Sequence, residues 1–147
     1  MSVANVRLPE QAAAQLVAAH GSDPVWLDRF SAAVAARRMS PELARVLKVW
    51  GLSRTEAARL FGVTRQGLSK WLDGEVPADR VPAVGDLAAA TDLLTHYLRR
   101  DRIPAVVRRP AAALGGRNLL DRWATGDTAG VLAACEEMFD VTGVNGW

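Results

Sequence analysis

The stretch that most constrains the fold is residues 53–74, SRTEAARLFGVTRQGLSKWLDG, because it carries the signals of two short helices joined by a tight turn. Ser53 and Glu56 match a capping box, in which the two side chains bond free amide groups at a helix start. Gly62 ends this helix by adopting a left-handed conformation at low cost, and Thr64 is a good N-cap for the next helix. The pattern therefore predicts a helix-turn-helix.

The second helix of this pair has an apolar side and a polar side. Leu68, Trp71 and Leu72 recur at three- and four-residue spacing, which predicts a buried stripe. The N-terminal half is rich in hydrogen-bond donors, and that half of a recognition helix meets the edges of DNA bases. We therefore predict DNA binding, against the plainer alternative of a short helical hairpin with a polar surface. The residues expected at the DNA are Arg54, Thr64, Arg65, Gln66, Ser69 and Lys70.

Composition favours an all-α protein. The chain has 147 residues, of which half are apolar, and this length suits one compact domain or a small domain with helical extensions. Alanine, leucine and arginine are abundant, and all three are good helix formers. We therefore expect an all-α protein in which a helix-turn-helix bundle is followed by a small helical domain.

Three regions are expected along the chain: a helical extension over residues 1–39, the helix-turn-helix region over residues 40–82, and a long helix with a small C-terminal domain over residues 83–147. Ser40 and Pro41 match a helix start, so a new helix is predicted there. In the first region a stripe of apolar side chains is expected to be covered by another apolar surface. That stripe consists of Trp26, Leu27, Phe30 and Val34.

Charge is distributed unevenly along the chain. The net charge of +2 is too small to indicate a nucleic-acid ligand by itself. Residues 37–80 carry nine basic side chains against five acidic ones, and residues 97–122 carry seven arginines against two aspartates. From residue 123 to the end there are four acids and no lysine or arginine. A basic body with an acidic end suggests two different partners.

No group of residues indicates catalysis, a metal or a cofactor. The one cysteine, Cys135, lies among apolar residues and is expected to be a buried thiol in a reducing cytoplasm. His20 and His96 lie too far from it and from each other in sequence to suggest a metal site. No motif assembles a nucleophile, a base and an orienting group. We therefore expect that the protein is not an enzyme. Because no apolar run approaches a membrane span and no signal peptide is recognisable, we also expect it to be cytoplasmic.

A second informative stretch is residues 104–133, PAVVRRPAAALGGRNLLDRWATGDTAGVLA, in which LGGR predicts a tight bend. With the preceding helix-turn-helix, this stretch resembles the Xre/MbcA/ParS family of antitoxins over residues 42–140. The chain departs from the family pattern at Leu119, where a proline is common, and in its longer ending DVTGVNGW. The residues that carry the resemblance are Ala113, Leu114, Gly115, Gly116, Arg117, Leu120, Asp121, Ala124, Thr125, Gly126 and Asp127.

The resemblance implies a two-part antitoxin, with an Xre-like helix-turn-helix bundle followed by a small helical toxin-binding domain, and we also expect a homodimer. Its helix-turn-helix would bind operator DNA in the promoter of its own operon, and its C-terminal domain would block a cognate toxin, usually a RES-type enzyme that consumes NAD⁺. The acidic end, with its terminal aromatic residue, has the chemistry to enter a cationic nucleotide pocket of the toxin. The alternative is that this end is a solvated terminus that binds no partner. The residues expected at the toxin are Leu114, Gly115, Gly116, Arg117, Asp127, Asp140 and Trp147.

Two functions of other classes remain open on the sequence. A stand-alone repressor, of phage or chromosomal origin, would use the C-terminal domain for dimerisation or for a second contact with DNA phosphates. The arginines that keep this alternative open are Arg99, Arg100, Arg102, Arg108 and Arg109. A purely structural interaction module would leave the donor-rich face of the second helix without a role.

Overall fold

The computed structural model of the chain describes residues 8–140, and within that range it contains eight α-helices and no β-strand. The predicted all-α fold is confirmed. Three short 3-10 turns join some of the helices, and in the described residues no helix combines the length and the apolar character that crossing a membrane requires. The helices are α1 Pro9–His20, α2 Pro24–Trp50, α3 Arg54–Phe61, α4 Arg65–Leu72, α5 Val81–Tyr97, α6 Ile103–Val107, α7 Leu119–Ala124 and α8 Thr128–Met138.

Contacts divide the chain into two compact units, with the division between Val34 and Ala35. The first unit contains α1 and the start of α2, which we call the N-terminal hairpin (residues 8–34). In this hairpin the His20 ring stacks on Trp26 at a centroid distance of 3.8 Å, yet α1 buries none of its residues. The apolar stripe that was expected to be packed is largely exposed, since Phe30 keeps 42 % of its surface in solvent. The predicted domain boundaries at residues 39 and 82 stay predictions.

The helix start predicted at Ser40 and Pro41 is wrong, because α2 continues through both residues to Trp50. Ser40 is buried, and its hydroxyl donates to the carbonyl oxygens of Ala36 at 3.1 Å and of Trp71 at 2.6 Å. The hydroxyl therefore ties α2 to the end of α4 instead of capping a new helix. A long-range partner thus outweighs the local preference of serine and proline for a helix start.

Four aromatic rings form the centre of the second unit, and we call them the aromatic cluster: Trp50, Phe61, Trp71 and Trp123. Trp123 meets Trp50 and Phe61 edge-on at 5.5 and 5.0 Å, and Phe61 meets Trp71 at 5.1 Å. Trp50 is fully buried, and its indole N–H donates to the Thr91 hydroxyl at 2.9 Å. Edge-to-face rings at these distances stabilise a core beyond the area that they bury. The cluster joins α2, α3, α4 and α7, and the Thr91 bond adds α5.

In the C-terminal part of the chain, α5 and α8 pack against each other. Thr128 on α8 donates a hydrogen bond to Asp86 on α5 at 3.0 Å, and Cys135 on α8 is completely buried. Burial, with a smaller contribution from the charge of Glu136, raises the pKa of the Cys135 thiol to about 12. The thiol is therefore a packing group and not a nucleophile at neutral pH. Tyr97 at the end of α5 is 44 % exposed, and its ring stacks on Phe139 at a centroid distance of 4.8 Å.

We expect Trp71→Ala to lower the free energy of unfolding by about 3–5 kcal/mol, because it removes a buried ring from the aromatic cluster. Denaturant unfolding of the full chain measures this loss. Trp26→Ala is the matched control, since Trp26 lies in the N-terminal hairpin and should leave the unfolding of the second unit unchanged. A loss below about 1 kcal/mol for Trp71→Ala would contradict the role given to the cluster.

Candidate nucleic-acid interface and partner surface

The helix-turn-helix is held in shape by caps that its own sequence supplies. Ser53 Oγ accepts a hydrogen bond from the Glu56 amide at 3.1 Å, and Glu56 Oε1 accepts one from the Ser53 amide at 3.2 Å. The bond from the Ser53 amide to the Glu56 carboxylate, with a further contribution from the Ser53 side chain, lowers the pKa of Glu56. Gly62 then ends α3 at φ 70°, a left-handed angle that a glycine adopts without strain. The two helices predicted from the sequence are both present.

The polar face of α4 lies in solvent, while its apolar side is buried. Leu68 is completely buried and Trp71 is 7 % exposed, whereas Arg65, Gln66 and Lys70 are all exposed. Three donor side chains therefore extend from one short helix that is anchored from the other side. We call the six predicted DNA-contacting residues the donor face: Arg54, Thr64, Arg65, Gln66, Ser69 and Lys70.

Three members of the donor face also form hydrogen bonds within the protein. Thr64 Oγ1 caps α4 by accepting a hydrogen bond from the Gly67 amide at 3.0 Å. Arg54 Nη1 donates to Ser69 Oγ at 3.2 Å, which brings the start of α3 and the middle of α4 together. The Arg54 guanidinium keeps other N–H groups for a phosphate, and the Ser69 hydroxyl keeps its own proton for donation. The DNA contacts of all six residues stay predictions.

The LGGR bend is a structural turn with one outward side chain. Leu114 is 6 % exposed and belongs to the core, while Gly115 and Gly116 have φ angles of 67° and 81°. The Ala111 amide donates to the Arg117 carbonyl at 3.0 Å and closes the turn. Of the four residues, Arg117 is the one whose side chain is both exposed and chemically suited to a partner. The expected contribution of the bend to toxin binding is untested.

Asp127 also has a structural role. Its carboxylate caps α8 by accepting a hydrogen bond from the Gly130 amide at 2.8 Å, and it pairs with Arg122 at 3.2 Å.

The Arg108 guanidinium, one of the predicted phosphate-binding candidates, donates to the carbonyl oxygens of Trp50 at 2.8 Å and of Gly51 at 3.0 Å. Arg108 therefore stabilises the C-terminal end of α2 and is poorly placed to track phosphates. Arginines 100, 102 and 109 are exposed.

A groove of about 980 Å³ lies between α5 and α8, and we call it the acidic groove. Its apolar lining comes from Leu93 and Leu132 with two alanines, Ala89 and Ala133. The other side chains that line it are one histidine and four carboxylates, and among the described residues none of the lining groups is a lysine or arginine. These polar lining residues are Asp92, His96, Glu136, Glu137 and Asp140.

The structure thus places one of the predicted toxin-binding residues, Asp140, in the acidic groove. Trp147 lies outside the described residues. Sequence reasoning missed Asp92, Leu93 and His96, because these residues lie on α5, about 40 positions before the carboxylates of α8 in the chain. Only the pairing of α5 with α8 brings them to Glu136 and Glu137. The described residues contain no group of three or more His, Cys, Asp or Glu side chains that could hold a metal ion.

Comparison with known proteins gives one fold likeness. A chain of the M. tuberculosis MbcT–MbcA toxin–antitoxin complex matches this structure with a TM-score of 0.56 and 23 % sequence identity. The match covers 71 % of this chain and 95 % of that chain. No family model and no curated protein matches the sequence. The likeness shows that the two chains have the same fold, and the fold agrees with the resemblance found in the sequence.

Proposed function

We propose that the protein is the antitoxin of a toxin–antitoxin pair, acting in the cytoplasm by binding and not by catalysis. The observation that carries the proposal is the fold likeness to a chain of a toxin–antitoxin complex. Two surfaces of different chemistry on the second unit support it. The donor face suits operator DNA, and the acidic groove suits a basic surface of a toxin.

The DNA-binding part of the proposal rests on the exposed half of α4. Arginine and glutamine have the forked geometry that bonds two atoms of a guanine or an adenine edge. Arg65 and Gln66 are adjacent, exposed and at the first positions of α4, where a recognition helix meets bases. Repression of its own operon would follow from binding at the promoter, and a homodimer would present two such helices to two half-sites.

The toxin-binding part rests on the acidic groove. An enzyme that consumes NAD⁺, as a RES-type toxin does, binds a substrate with a negatively charged pyrophosphate and needs cationic groups to hold it. Carboxylates of Glu136, Glu137 and Asp140 offer such a site a competing set of negative charges, and the floor of Leu93 and Leu132 offers apolar contact. We propose that the groove docks on this toxin and keeps its substrate out.

A stand-alone repressor is the second candidate function. The observation that favours it is the exposure of Arg100, Arg102 and Arg109. Arg108, in contrast, is held by the carbonyl oxygens of Trp50 and Gly51. Exposed arginine side chains bind phosphates without regard to sequence. This function predicts that no toxin is encoded beside the gene and that the acidic groove has no partner.

We expect Arg65→Ala and Gln66→Ala each to weaken operator binding by about 1–3 kcal/mol and to leave binding to random DNA much less affected, because base contacts carry the specificity. Fluorescence anisotropy with both DNAs measures the two affinities, and circular dichroism checks that the fold is kept.

Arg109→Ala is the matched control for loss of a positive charge. It should change neither affinity if the donor face alone binds DNA, and it should weaken both equally if the second candidate function is right. Equal losses on operator and random DNA for Arg65→Ala and Gln66→Ala would contradict base recognition by α4.

We expect Glu136→Lys combined with Glu137→Lys to abolish neutralisation of the toxin encoded beside the gene, because the change reverses charge where a cationic surface would dock. Growth rescue after co-expression measures neutralisation, and a gel shift on operator DNA should show unchanged binding. Glu75→Lys combined with Asp79→Lys is the control, since these exposed carboxylates lie outside the groove. Full rescue by the groove variant would contradict the docking proposal.

A chain that ends at Asp140 separates the contribution of the groove to toxin neutralisation from that of the last seven residues. It retains every described helix, so it should fold and bind operator. Loss of rescue by this chain would mean that the last seven residues, which include Trp147, also contribute to neutralisation. Full rescue would leave the groove as the toxin-binding surface without help from the last residues.

A further inference from the structure

A small cavity of about 240 Å³ lies between the end of α3, the start of α5 and the turn from α7 to α8. Its buried walls include Phe61, Trp123 and Thr128. Thr125 and Gly126 at the turn are exposed, so the cavity opens to solvent there. No described lining residue belongs to the donor face or to the acidic groove. The cavity is therefore separate from the two surfaces that the proposed function uses.

The Trp123 indole in the cavity wall is a hydrogen-bond donor without a partner. The residue is 1 % exposed, and its nitrogen has no hydrogen-bond acceptor among residues 8–140. Buried N–H groups are almost always bonded, because an unbonded one loses its bonds to water on folding and gains none. Trp50 is the contrasting case, since its indole N–H donates to Thr91 Oγ1 at 2.9 Å. A ligand with an acceptor oxygen would supply the partner that Trp123 lacks.

Arg80 brings a positive charge to the same cavity. Its Nη1 donates to the Phe61 carbonyl oxygen at 3.2 Å, and its guanidinium carbon lies 5.4 Å from the centre of the Trp71 ring. These contacts hold the guanidinium in place but use only part of its N–H donors. None of the ion pairs in the described part of the chain includes Arg80. The guanidinium is therefore positioned in advance and keeps donors for an anion.

The two threonines of the cavity have no hydroxyl proton left for a ligand. Thr125 donates to the Arg122 carbonyl oxygen at 2.7 Å, and Thr128 donates to Asp86 at 3.0 Å. The remaining side-chain donors are a guanidinium and an indole, and the described lining residues include no aspartate or glutamate. Such a set of donors binds a group that offers acceptor oxygens and a negative charge.

The size of the cavity and its apolar walls narrow the choice of ligand. Pockets for drug-sized ligands have volumes of about 300–1,000 Å³, so this smaller cavity suits a group of few atoms. Leu60, Phe61 and Ala83 contribute apolar surface, which favours a short hydrocarbon stem. A carboxylate on such a stem matches both the donors and the walls, whereas an inorganic anion would leave the apolar walls without contact.

We infer that this cavity is a binding site for a short-chain carboxylate, whose oxygens accept hydrogen bonds from the Arg80 guanidinium and the Trp123 indole while its stem contacts the apolar walls. The carboxylate belongs either to a free small molecule or to an acidic side chain of a partner protein, since both present the same group. The site does not depend on the proposed function.

NMR of the isotope-labelled full chain, titrated with sodium propionate at constant ionic strength, tests the site. The chain has five tryptophans, and Trp123→Phe identifies the Trp123 indole signal as the one that this change removes. We expect propionate to move this signal downfield to saturation, with a dissociation constant in about the millimolar range that so small a ligand can reach. Propionamide, which has a similar shape without the charge, should not move it.

Arg80→Gln should raise the dissociation constant for propionate at least about tenfold, because it removes the charged donor. Arg59→Gln is the matched control, since Arg59 is exposed on α3 and does not line the cavity, and this variant should bind like the parent. Arg80→Lys keeps the charge without the planar fork, so an intermediate affinity is expected. Thermal unfolding checks that each variant is folded.

A Trp123 signal that propionate leaves unmoved would overturn the inference, and an upfield position of that signal would place the N–H against a neighbouring aromatic ring instead. Equal movement with sodium chloride would mean an adventitious ion only and would also overturn it. The same holds for an equal loss of affinity in Arg80→Gln and Arg59→Gln.

The purified complex with the toxin encoded beside the gene distinguishes the two sources of the carboxylate. A Trp123 signal that is already at its bound position and insensitive to propionate supports the site with an acidic side chain of the partner as its ligand. A signal that still responds to propionate supports the site with a free carboxylate. If no toxin exists, the proposed function fails while the propionate result on the chain alone stands, so the two failures are told apart.

Discussion

The contact on which the second unit depends is the one between Phe61 and the two tryptophans on either side of it. Phe61 lies at the end of α3 and meets Trp71 of α4 and Trp123 of α7, each about 5 Å away. Trp123 continues to Trp50 of α2, whose indole is fixed by Thr91 of α5. The orientation of α4, and hence of the donor face, is therefore set by residues far beyond the helix-turn-helix itself.

This arrangement explains why two surfaces of opposite chemistry can be carried by about a hundred residues. Two of the helices that present them, α4 and α8, have only 8 and 11 residues, and helices of this length are marginal in isolation. Their side chains become fixed only because the opposite sides of the helices are buried in a common core. Leu68 and Trp71 anchor the donor face, while Val131 and Cys135 anchor the helix that carries the acidic groove.

Local signals in the sequence predicted the helix ends well, because caps depend on residues three or four positions apart. The capping box of Ser53 and Glu56 and the cap by Thr64 form as expected. The prediction failed at Ser40, where a distant carbonyl on Trp71 takes the hydroxyl that would have capped a new helix. That partner is 31 residues away and leaves no local trace in the sequence.

The candidate partner surface was predicted less completely for the same reason. Leu114 and Asp127 carry the resemblance to antitoxins, but one is a core residue and the other caps α8, so the pattern marks residues that build the fold. The groove itself depends on how α5 packs against α8. Sequence showed the carboxylates of α8 but could not show that Asp92, His96 and Leu93 lie beside them.

The donor face and the acidic groove belong to one cooperatively folded body, which the aromatic cluster holds together. Native-state hydrogen exchange measures this most directly, because it gives the free energy of opening for each amide. We expect the slowest amides of α2, α4, α5 and α7 to share one opening free energy, equal to that of global unfolding. Exchange of α7 and α8 through a separate opening of much lower free energy, with α3 and α4 still protected, would contradict it.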